Sequence, residues 1–174
     1  KGQSVLILGA GISGLLHLLL ARSQGAGRIV VTDINEYRLK AAKDLGADEV
    51  INAEELKEEL ADLVIVCTGA LSAFMQALNC VERAGTILFF AATEPGVNVP
   101  IPVADFWRKS IRLMHSYGAS PADLAEATEL LRTKKIPVAK LITHRLPLSQ
   151  AGLGFKLVAE AKDCIKVILV PDKI

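Results

Sequence analysis

The stretch "LILGAGISGLLHLLLARSQGAGRIVVTD", residues 6–33, decides the fold of this chain. Three glycines, Gly9, Gly11 and Gly14, follow a short apolar run and open a nearly all-apolar segment of helix length. A second apolar run then closes on a single acid, Asp33. Strand, glycine-rich turn, helix and strand in this order predict a βαβ unit, because parallel strands need a crossover connection.

The same alternation continues along the chain. Apolar runs of strand length, rich in Val and Ile, occupy residues 5–8, 29–32, 49–51, 63–66 and 86–90, with a sixth candidate from Ser110 to His115. Such continuous runs are typical of strands buried on both faces of a parallel sheet. Helix-period segments lie between them at 15–23, 35–45 and 72–83, the last with Ser72 as its predicted cap. The sequence therefore predicts an α/β protein with a doubly wound, six-stranded parallel sheet, the Rossmann arrangement.

The pattern changes after this sheet. Residues 94–102 are rich in Pro and Gly and predict a loop. Ser120, Pro121 and Asp123 are typical of a helix start, and that helix is expected to end near Thr133. Beyond it we expect an extended segment at 140–145, a helix at 149–161 and a strand at 165–170. We predict two units, residues 1–118 and residues 119–174.

Composition excludes several classes of function. The formal net charge of +1 gives no reason to expect nucleic acid or an anionic membrane as a partner. The longest apolar runs are too short to span a bilayer. Cys67, Cys80 and Cys164 lie far apart, so neither a zinc motif nor a disulfide framework is indicated. The chain begins at Lys1 without a signal peptide or an initiator Met, so we expect a portion of a longer cytoplasmic polypeptide.

The glycine pattern fits a dinucleotide-binding turn. Gly9 would permit the tight turn, Gly11 would let a pyrophosphate approach the backbone, and Gly14 would let the helix lie close to the strand. The amides near Ile12 and Ser13 would point out of the helix N-terminus, where a phosphate charge is favoured. The simpler alternative is a glycine turn without a ligand, in which the following acid merely caps a helix.

Asp33 bears on which dinucleotide is bound. Its carboxylate would accept hydrogen bonds from the adenosine ribose and would repel a 2′-phosphate, which favours NAD over NADP. Arg38, one turn into the next helix, could neutralise a 2′-phosphate or lie beside the adenine ribose. NADP therefore remains the alternative cofactor.

Several longer segments resemble one family. These are residues 9–48 and the later segments "VIVCTGA" (64–70), "AGTILFFAA" (84–92), "LITHRLPLSQAGLGFKLV" (141–158) and "IKVIL" (165–169). Together they resemble the coenzyme-binding domain of the zinc-dependent medium-chain alcohol dehydrogenases. The branch most similar to them contains the sorbitol, threonine and butanediol dehydrogenases.

The resemblance implies roles on the adenosine side of the cofactor. Ile34 would contact the adenine. Cys67, Thr68 and Gly69 would line the adenosine side mainly through their backbone, with the Cys67 thiol a weakly polar wall rather than a nucleophile. Family members often carry a basic residue where this sequence has Ala70, so one adenosine contact of the family is not expected here.

The resemblance also implies roles on the nicotinamide side. Phe90, Ala91 and Ala92 would present backbone groups to the carboxamide, and Tyr117 would lie where the chain passes the nicotinamide. Lys166 occupies a basic position that could reach the pyrophosphate, or it could simply face solvent.

The family implies that the catalytic zinc is held elsewhere. Its ligands are expected in a lobe preceding residue 1, so no catalytic or metal-binding residue is predicted in this chain. His17 and His144 are interpreted as structural, and His115 could touch the cofactor. In the intact enzyme zinc would polarise a small alcohol or polyol for hydride transfer to the nicotinamide. This chain would bind and orient NAD, and alone it would be inactive.

Two other functions and one assembly are compatible with the sequence. A standalone dinucleotide-sensing module would share the glycine turn. A zinc-free quinone-reductase relative would use NADP, which Asp33 disfavours. The resemblance further implies a homo-oligomer in which the edge strand between Ser110 and His115 makes one sheet continuous across two subunits.

Overall fold

The computed structural model describes residues 1–171 of the 174-residue chain. Its main sheet consists of β1 (Val5–Leu8), β2 (Ile29–Asp33), β3 (Glu49–Asn52), β4 (Ala61–Val66), β5 (Val81–Phe89) and β6 (Arg112–His115). The strands are all parallel and are ordered β3-β2-β1-β4-β5-β6. The predicted six-stranded parallel sheet is confirmed.

Helices cover both faces of this sheet. They are α1 (Ile12–Ser23), α2 (Glu36–Asp44), α3 (Leu71–Asn79) and α4 (Val103–Lys109), whereas α5 (Pro121–Arg132) follows the sheet and α6 (Ala151–Glu160) packs on a second sheet. Alternate residues of β1 enter opposite cores: Leu6 and Leu8 pack with α3, whereas Val5 and Ile7 pack with α1. Burial on both faces explains why the strands are apolar throughout.

Local capping follows the sequence at two helices. The Asn35 side chain accepts a hydrogen bond from Arg38 N (3.1 Å) at the start of α2, and Gly46 takes φ +102° just beyond its end. At α5, Ser120 and Asp123 form a reciprocal capping box, so the predicted helix start is confirmed.

The predicted helix at 72–83 is wrong at both ends. The helix α3 begins one residue before Ser72, without a side-chain cap from any described residue, and it ends at Asn79. Val81, which lies inside the predicted helix, instead opens β5 and pairs with Ala61 of β4. Strand pairing therefore ends the helix early, and β5 begins well before the predicted position of residue 86.

A short helix was not predicted ahead of the edge strand. The helix α4 buries Phe106, and Ser110 ends it in the left-handed conformation with φ +56°. The predicted strand from Ser110 therefore begins only at Arg112. Its position at the edge of the sheet is confirmed.

The C-terminal segment forms a second, smaller sheet. The strands β7 (Ile142–Pro147) and β8 (Lys166–Val170) pair in parallel, α6 connects them, and 3₁₀ turns lie at Val138–Leu141 and Leu148–Gln150. The predicted extended segment at 140–145 thus begins as a 3₁₀ turn. The last three residues of the predicted unit 119–174 lie outside the described residues.

The two sheets are tied together at a few points. Asn35 Nδ2 donates to Ala161 O (2.8 Å) and Lys162 O (2.9 Å), and Ile136 and Leu141 are buried in the core beside α1. Within residues 1–171, no helix is both long and apolar enough to cross a membrane.

Candidate functional site

A cleft of about 230 Å³ lies at the carboxyl ends of β1, β2 and β4. The strand order reverses between β1 and β4, and open α/β sheets bind ligands at such a point. The lining residues come from the turns after these strands and from α3: Leu8, Gly9, Gly11, Thr32, Asp33, Ile34, Arg38, Ala53, Cys67, Thr68, Ala70, Ser72, Ala73 and Gln76.

The three glycines of the first turn meet different surroundings. Gly9 has φ +101°, and a Cβ on Gly14 would lie 1.8 Å from the Gly9 carbonyl oxygen, so the fold itself requires both. A Cβ on Gly11, by contrast, would find no described atom within 4 Å. The fold does not need a glycine there, and the space above Gly11 is open to an approaching ligand.

The N-terminus of α1 points into this open space. Gly11 is the N-cap residue, and the first intrahelical hydrogen bond runs from Leu15 N to Gly11 O (3.0 Å). The amides of Ile12 and Ser13 precede that bond. The described first turn contains no acidic side chain. An anion is therefore favoured at this helix end by both hydrogen bonding and the helix dipole.

Asp33 is held in a fixed orientation at the end of β2. The residue is only 8% exposed; its Oδ2 accepts from Ala10 N (2.7 Å) and its Oδ1 accepts from Asn35 N (2.9 Å). A carboxylate has about four acceptor sites, so capacity remains for a ligand hydroxyl. Asn35, and not Asp33, supplies the side-chain cap of α2, which disagrees with the alternative that Asp33 only caps a helix.

Arg38 faces Asp33 across the mouth of the cleft. Its Nη1 lies 4.0 Å from Asp33 Oδ2. Its Nε is buried and has no hydrogen-bond partner among the described residues. A buried donor without a partner costs free energy, so a ligand acceptor at this position would stabilise the complex. The cleft thus offers positively polarised groups, a fixed acceptor and an unpaired donor, and these fit a dinucleotide.

The turns after β4 and β5 lie against each other. Phe90 N and Ala91 N both donate to Val66 O (3.1 and 3.0 Å). A Cβ on Gly69 would lie 2.9 Å from Ala92 O, so the two turns approach as closely as a glycine allows. The structure therefore brings the predicted adenosine-side and nicotinamide-side turns to one edge of the sheet.

His17 packs against both of these turns, through Cys67 and Phe90. Its Nδ1 is 2.8 Å from Ser13 O, its ring meets Phe90 edge-on at 4.5 Å, and Cys67 Sγ lies 3.6 Å from its Nδ1. Burial lowers the pKa of His17 and raises the pKa of the Cys67 thiol to about 12. The imidazole is therefore neutral and the thiol is protonated. Cys67 thus packs as a weakly polar side chain and is not an activated nucleophile.

Among residues 1–171, nine predicted site residues do not line the cleft: Tyr117 and Lys166, and seven that belong to the start of α1 or the turns after β4 and β5, namely Ile12, Ser13, Gly14, Gly69, Phe90, Ala91 and Ala92. Tyr117, beyond β6, is fully exposed, and Lys166 is exposed at the first residue of β8. Within the described chain, neither residue lines the cleft. Ile34 does line it, with its side chain 70% exposed at the mouth.

The described residues do not fit a zinc ion. Between residues 1 and 171, no three His, Cys, Asp or Glu side chains gather closely enough to hold a metal. His115 packs against the Phe89 ring (5.3 Å), and His144 Nδ1 lies 3.0 Å from Thr143 Oγ1.

The sequence did not reveal four cleft residues that come from α3 and the turn after β3. They are Ala53, Ser72, Ala73 and Gln76. Gln76 Nε2 donates to Ala53 O (2.7 Å) and links α3 to the turn after β3. Ser72 and Gln76 are four residues apart and share a helix face, and both lie inside the predicted helix at 72–83, but nothing in the sequence marks that face as one that lines the cleft.

The strand order and the glycine turn define a protein of the Rossmann class. Residues 13–133 match the family model of the zinc-binding dehydrogenases, and the chain belongs to this family. Members of the family use a nicotinamide cofactor, either NAD or NADP.

Curated relatives support this assignment. The chain is 34% identical to L-idonate 5-dehydrogenase from Vitis vinifera, an alignment covering 95% of this chain and 49% of the relative. It is 32% identical to sorbitol dehydrogenase from Mus musculus, covering 89% and 46%. The chain thus spans about half the length of the curated relatives it matches.

Solved structures agree with the fold. An alcohol dehydrogenase from Thermotoga maritima is 28% identical with a TM-score of 0.89, covering 99% of this chain and 51% of that one. A Sinorhizobium meliloti 1021 protein bound to NADP is 23% identical with a TM-score of 0.88, covering 98% and 53%. A short chain alcohol dehydrogenase from Escherichia coli CFT073 complexed with NADH is also 23% identical, with a TM-score of 0.85, covering 97% and 52%. At 23% identity these two likenesses concern the fold alone.

Proposed function

We propose that the cleft binds NAD and that this chain is the NAD-binding portion of a zinc-dependent alcohol or polyol dehydrogenase. One observation carries the proposal: the buried, oriented carboxylate of Asp33 lies beside an open helix N-terminus at Gly11. The pyrophosphate lies over Gly11, Ile12 and Ser13, where first-turn amides donate to it. The adenosine ribose then donates hydroxyl hydrogen bonds to Asp33.

The adenine end of the site supports NAD over NADP. The base contacts Ile34 and the backbone of Cys67, Thr68 and Gly69, and Arg38 lies beside the ribose. A 2′-phosphate there would meet the Asp33 carboxylate at close range. The Arg38 guanidinium only partly offsets that repulsion, because it is already 4.0 Å from the same carboxylate.

The nicotinamide end extends along β4 and β5. The backbone of Phe90, Ala91 and Ala92 faces the carboxamide. The edge-on contact between the His17 and Phe90 rings holds that turn in place. Tyr117 and Lys166 lie apart from the cleft in this structure, and the proposal includes them only as outer contacts, to the nicotinamide and the pyrophosphate respectively.

We extend the proposal to the whole protein through its relatives. Two of them act, by name, on idonate and sorbitol, which are polyhydroxylated substrates. The bound cofactor would accept a hydride from a small alcohol or polyol. The residues of this chain bind and orient that cofactor, while zinc would be held outside the described residues. Residues 119–174 contribute to the catalytic lobe, and the 74% exposed Phe155 of α6 marks a face suited to contact the rest of it.

We also propose that two copies of the chain pair through β6. The strand β6 is an edge of the main sheet, and Met114 on it is 53% exposed. An edge strand presents unpaired backbone groups that a second copy can satisfy.

Calorimetric titration with NAD⁺ and NADP⁺ tests the cofactor proposal. We expect the wild-type chain to bind NAD⁺ more tightly than NADP⁺. Asp33→Ser should weaken the binding of NAD⁺ and reduce the ratio between the two affinities. Asp44→Ser is the matched control, since Asp44 is exposed and pairs only with Lys40 among the described residues. Equal or tighter binding of NADP⁺ by the wild-type chain would overturn the preference. If neither NAD⁺ nor NADP⁺ gave a binding heat, the proposal that this cleft binds a dinucleotide would be wrong.

A further inference from the structure

One hydrogen bond closes the adenine end of the cleft. Gln76 Nε2 on α3 donates to the carbonyl oxygen of Ala53, the residue after β3, at 2.7 Å. Ala53 N in turn donates to the carbonyl oxygen of Asp33 at 3.0 Å. The amide of Gln76 is therefore anchored to the same strand ends that hold Asp33.

The chemistry of this bond fixes which way the amide points. A carbonyl oxygen can only accept, so the group of Gln76 that faces Ala53 O must be its NH₂. Rotating the amide by 180° would set Oε1 against Ala53 O and lose the bond. Gln76 Oε1 makes no hydrogen bond to any other group in residues 1–171, so it remains available as an acceptor.

The position of Gln76 points to the purine base. With the pyrophosphate over Gly11 and the ribose on Asp33, the base occupies the opposite end of the cleft. On the side of the cleft formed by α3 and the turn after β3, the lining includes Ala53, Ala70 and Gln76, and the small alanine side chains leave room for a flat ring.

We propose that Gln76 reads the purine of the dinucleotide, with its Oε1 accepting a hydrogen bond from the exocyclic amino group of adenine. The inference rests on the proposed function, since it requires the dinucleotide to occupy this cleft. A purine with a carbonyl oxygen in place of that amino group would face Gln76 acceptor to acceptor. Ala53 prevents the amide from turning to suit it. Gln76 is thus a specificity-determining residue.

Nicotinamide hypoxanthine dinucleotide is the probe, because it differs from NAD⁺ only in carrying a carbonyl where adenine carries the amino group. We expect calorimetry to show that the wild-type chain binds NAD⁺ about tenfold more tightly, the size of one hydrogen bond. Gln76→Met, which keeps the side-chain volume but not the amide, should bring the two affinities within about twofold. Gln76→Asn keeps the amide, but its side chain is too short to reach Ala53 O. This variant should also bring the affinities for the two dinucleotides within about twofold.

Gln24→Met is the matched control. Gln24 is exposed at the C-terminal end of α1, opposite the cleft, and this variant should keep the full tenfold preference. Equal binding of the two dinucleotides by the wild-type chain overturns the inference without needing any variant to fold. A preference that survives in Gln76→Met also overturns it. Failure of the proposed function is distinguishable, because then neither dinucleotide binds.

Discussion

At Gly14 the lack of a side chain lets α1 lie against β1, since a Cβ there would sit 1.8 Å from the Gly9 carbonyl oxygen. Gly11 is different, because its surroundings are empty to 4 Å within the described chain. The motif predicted the close approach at Gly14, which the structure confirms, whereas the role of Gly11 towards a pyrophosphate stays a prediction. The hydrogen bonds that orient Asp33, from Ala10 N and Asn35 N, could not be predicted, because they depend on how the turns fold over the strand end.

Substitution of these two glycines should separate stability from binding. We expect Gly14→Ala to lower the free energy of unfolding by about 3 kcal/mol, because backbone must move to admit the methyl group. Gly11→Ala should cost less than about 1 kcal/mol but weaken NAD⁺ binding. Urea unfolding and calorimetry measure the two effects. A Gly14→Ala protein as stable as the wild type would contradict the close approach seen here.

His17 should make stability depend on pH. Burial lowers its pKa in the folded protein below the value of 6.5 expected when unfolded. Between these values the unfolded chain binds more protons, so stability rises with pH and is lost as the pH falls below about 6.5. Backbone hydrogen bonds from Ile29 and Ser4 lower the pKa of Asp48 and Asp62 respectively. The stability that these two carboxylates contribute is therefore lost only as the pH falls below about 3.8.

The measurement is the free energy of urea unfolding at pH 7.5 and pH 5.5. We expect a lower value at pH 5.5 in the wild type and a smaller difference in His17→Phe, which keeps a ring against Phe90 but does not titrate. An identical pH dependence in both proteins would contradict the buried, neutral imidazole.

Among the elements, β1, β2 and β3 were predicted most closely, and α3, α4 and the start of β5 least. A strand of a parallel sheet is marked by its own apolar residues, whereas the end of α3 is set by pairing between Ala61 and Val81 from two different strands. The helix α4 has seven residues and buries Phe106, too short a pattern for periodicity to detect. The cleft residue Gln76 lay inside the predicted helix, but the sequence did not show that it faces the cleft.

The capping box of α5 gives a prediction for a single element. Ser120 Oγ accepts from Asp123 N at 3.2 Å, and Asp123 accepts in return from Ser120 N at 2.8 Å. Ser120→Ala should destabilise the helix by about 1 kcal/mol. Faster amide hydrogen exchange in the first turn of α5 would reveal it. Ser23→Ala, at the far end of α1, is the control, and unchanged exchange in Ser120→Ala would contradict the capping role.

At the scale of the whole molecule, the edge of the main sheet at β6 and the outer face of α6 both expose apolar side chains within residues 1–171. The family resemblance implied the edge position of β6, and the strand order confirms it. The separate β7–β8 sheet was not predictable, because the pairing of two strands that α6 connects leaves no mark in either strand alone.

Association through β6 can be tested by light scattering. We expect the wild-type chain to form a dimer and Met114→Lys to shift it towards the monomer, because a charge at an edge strand opposes pairing. Lys109→Met, on the preceding helix, is a control for altered surface charge. A wild-type chain that remains monomeric at high concentration would contradict pairing through this edge.

The central claim is that the carboxyl edge of the sheet holds a dinucleotide between the α1 N-terminus and Asp33. A crystal structure of the chain grown with saturating NAD⁺ tests it most directly. The predicted result is a pyrophosphate over Gly11, Ile12 and Ser13, with the adenosine ribose hydroxyls within hydrogen-bond distance of the Asp33 carboxylate. A cleft left empty at saturating NAD⁺, or a dinucleotide bound away from Asp33, would contradict it.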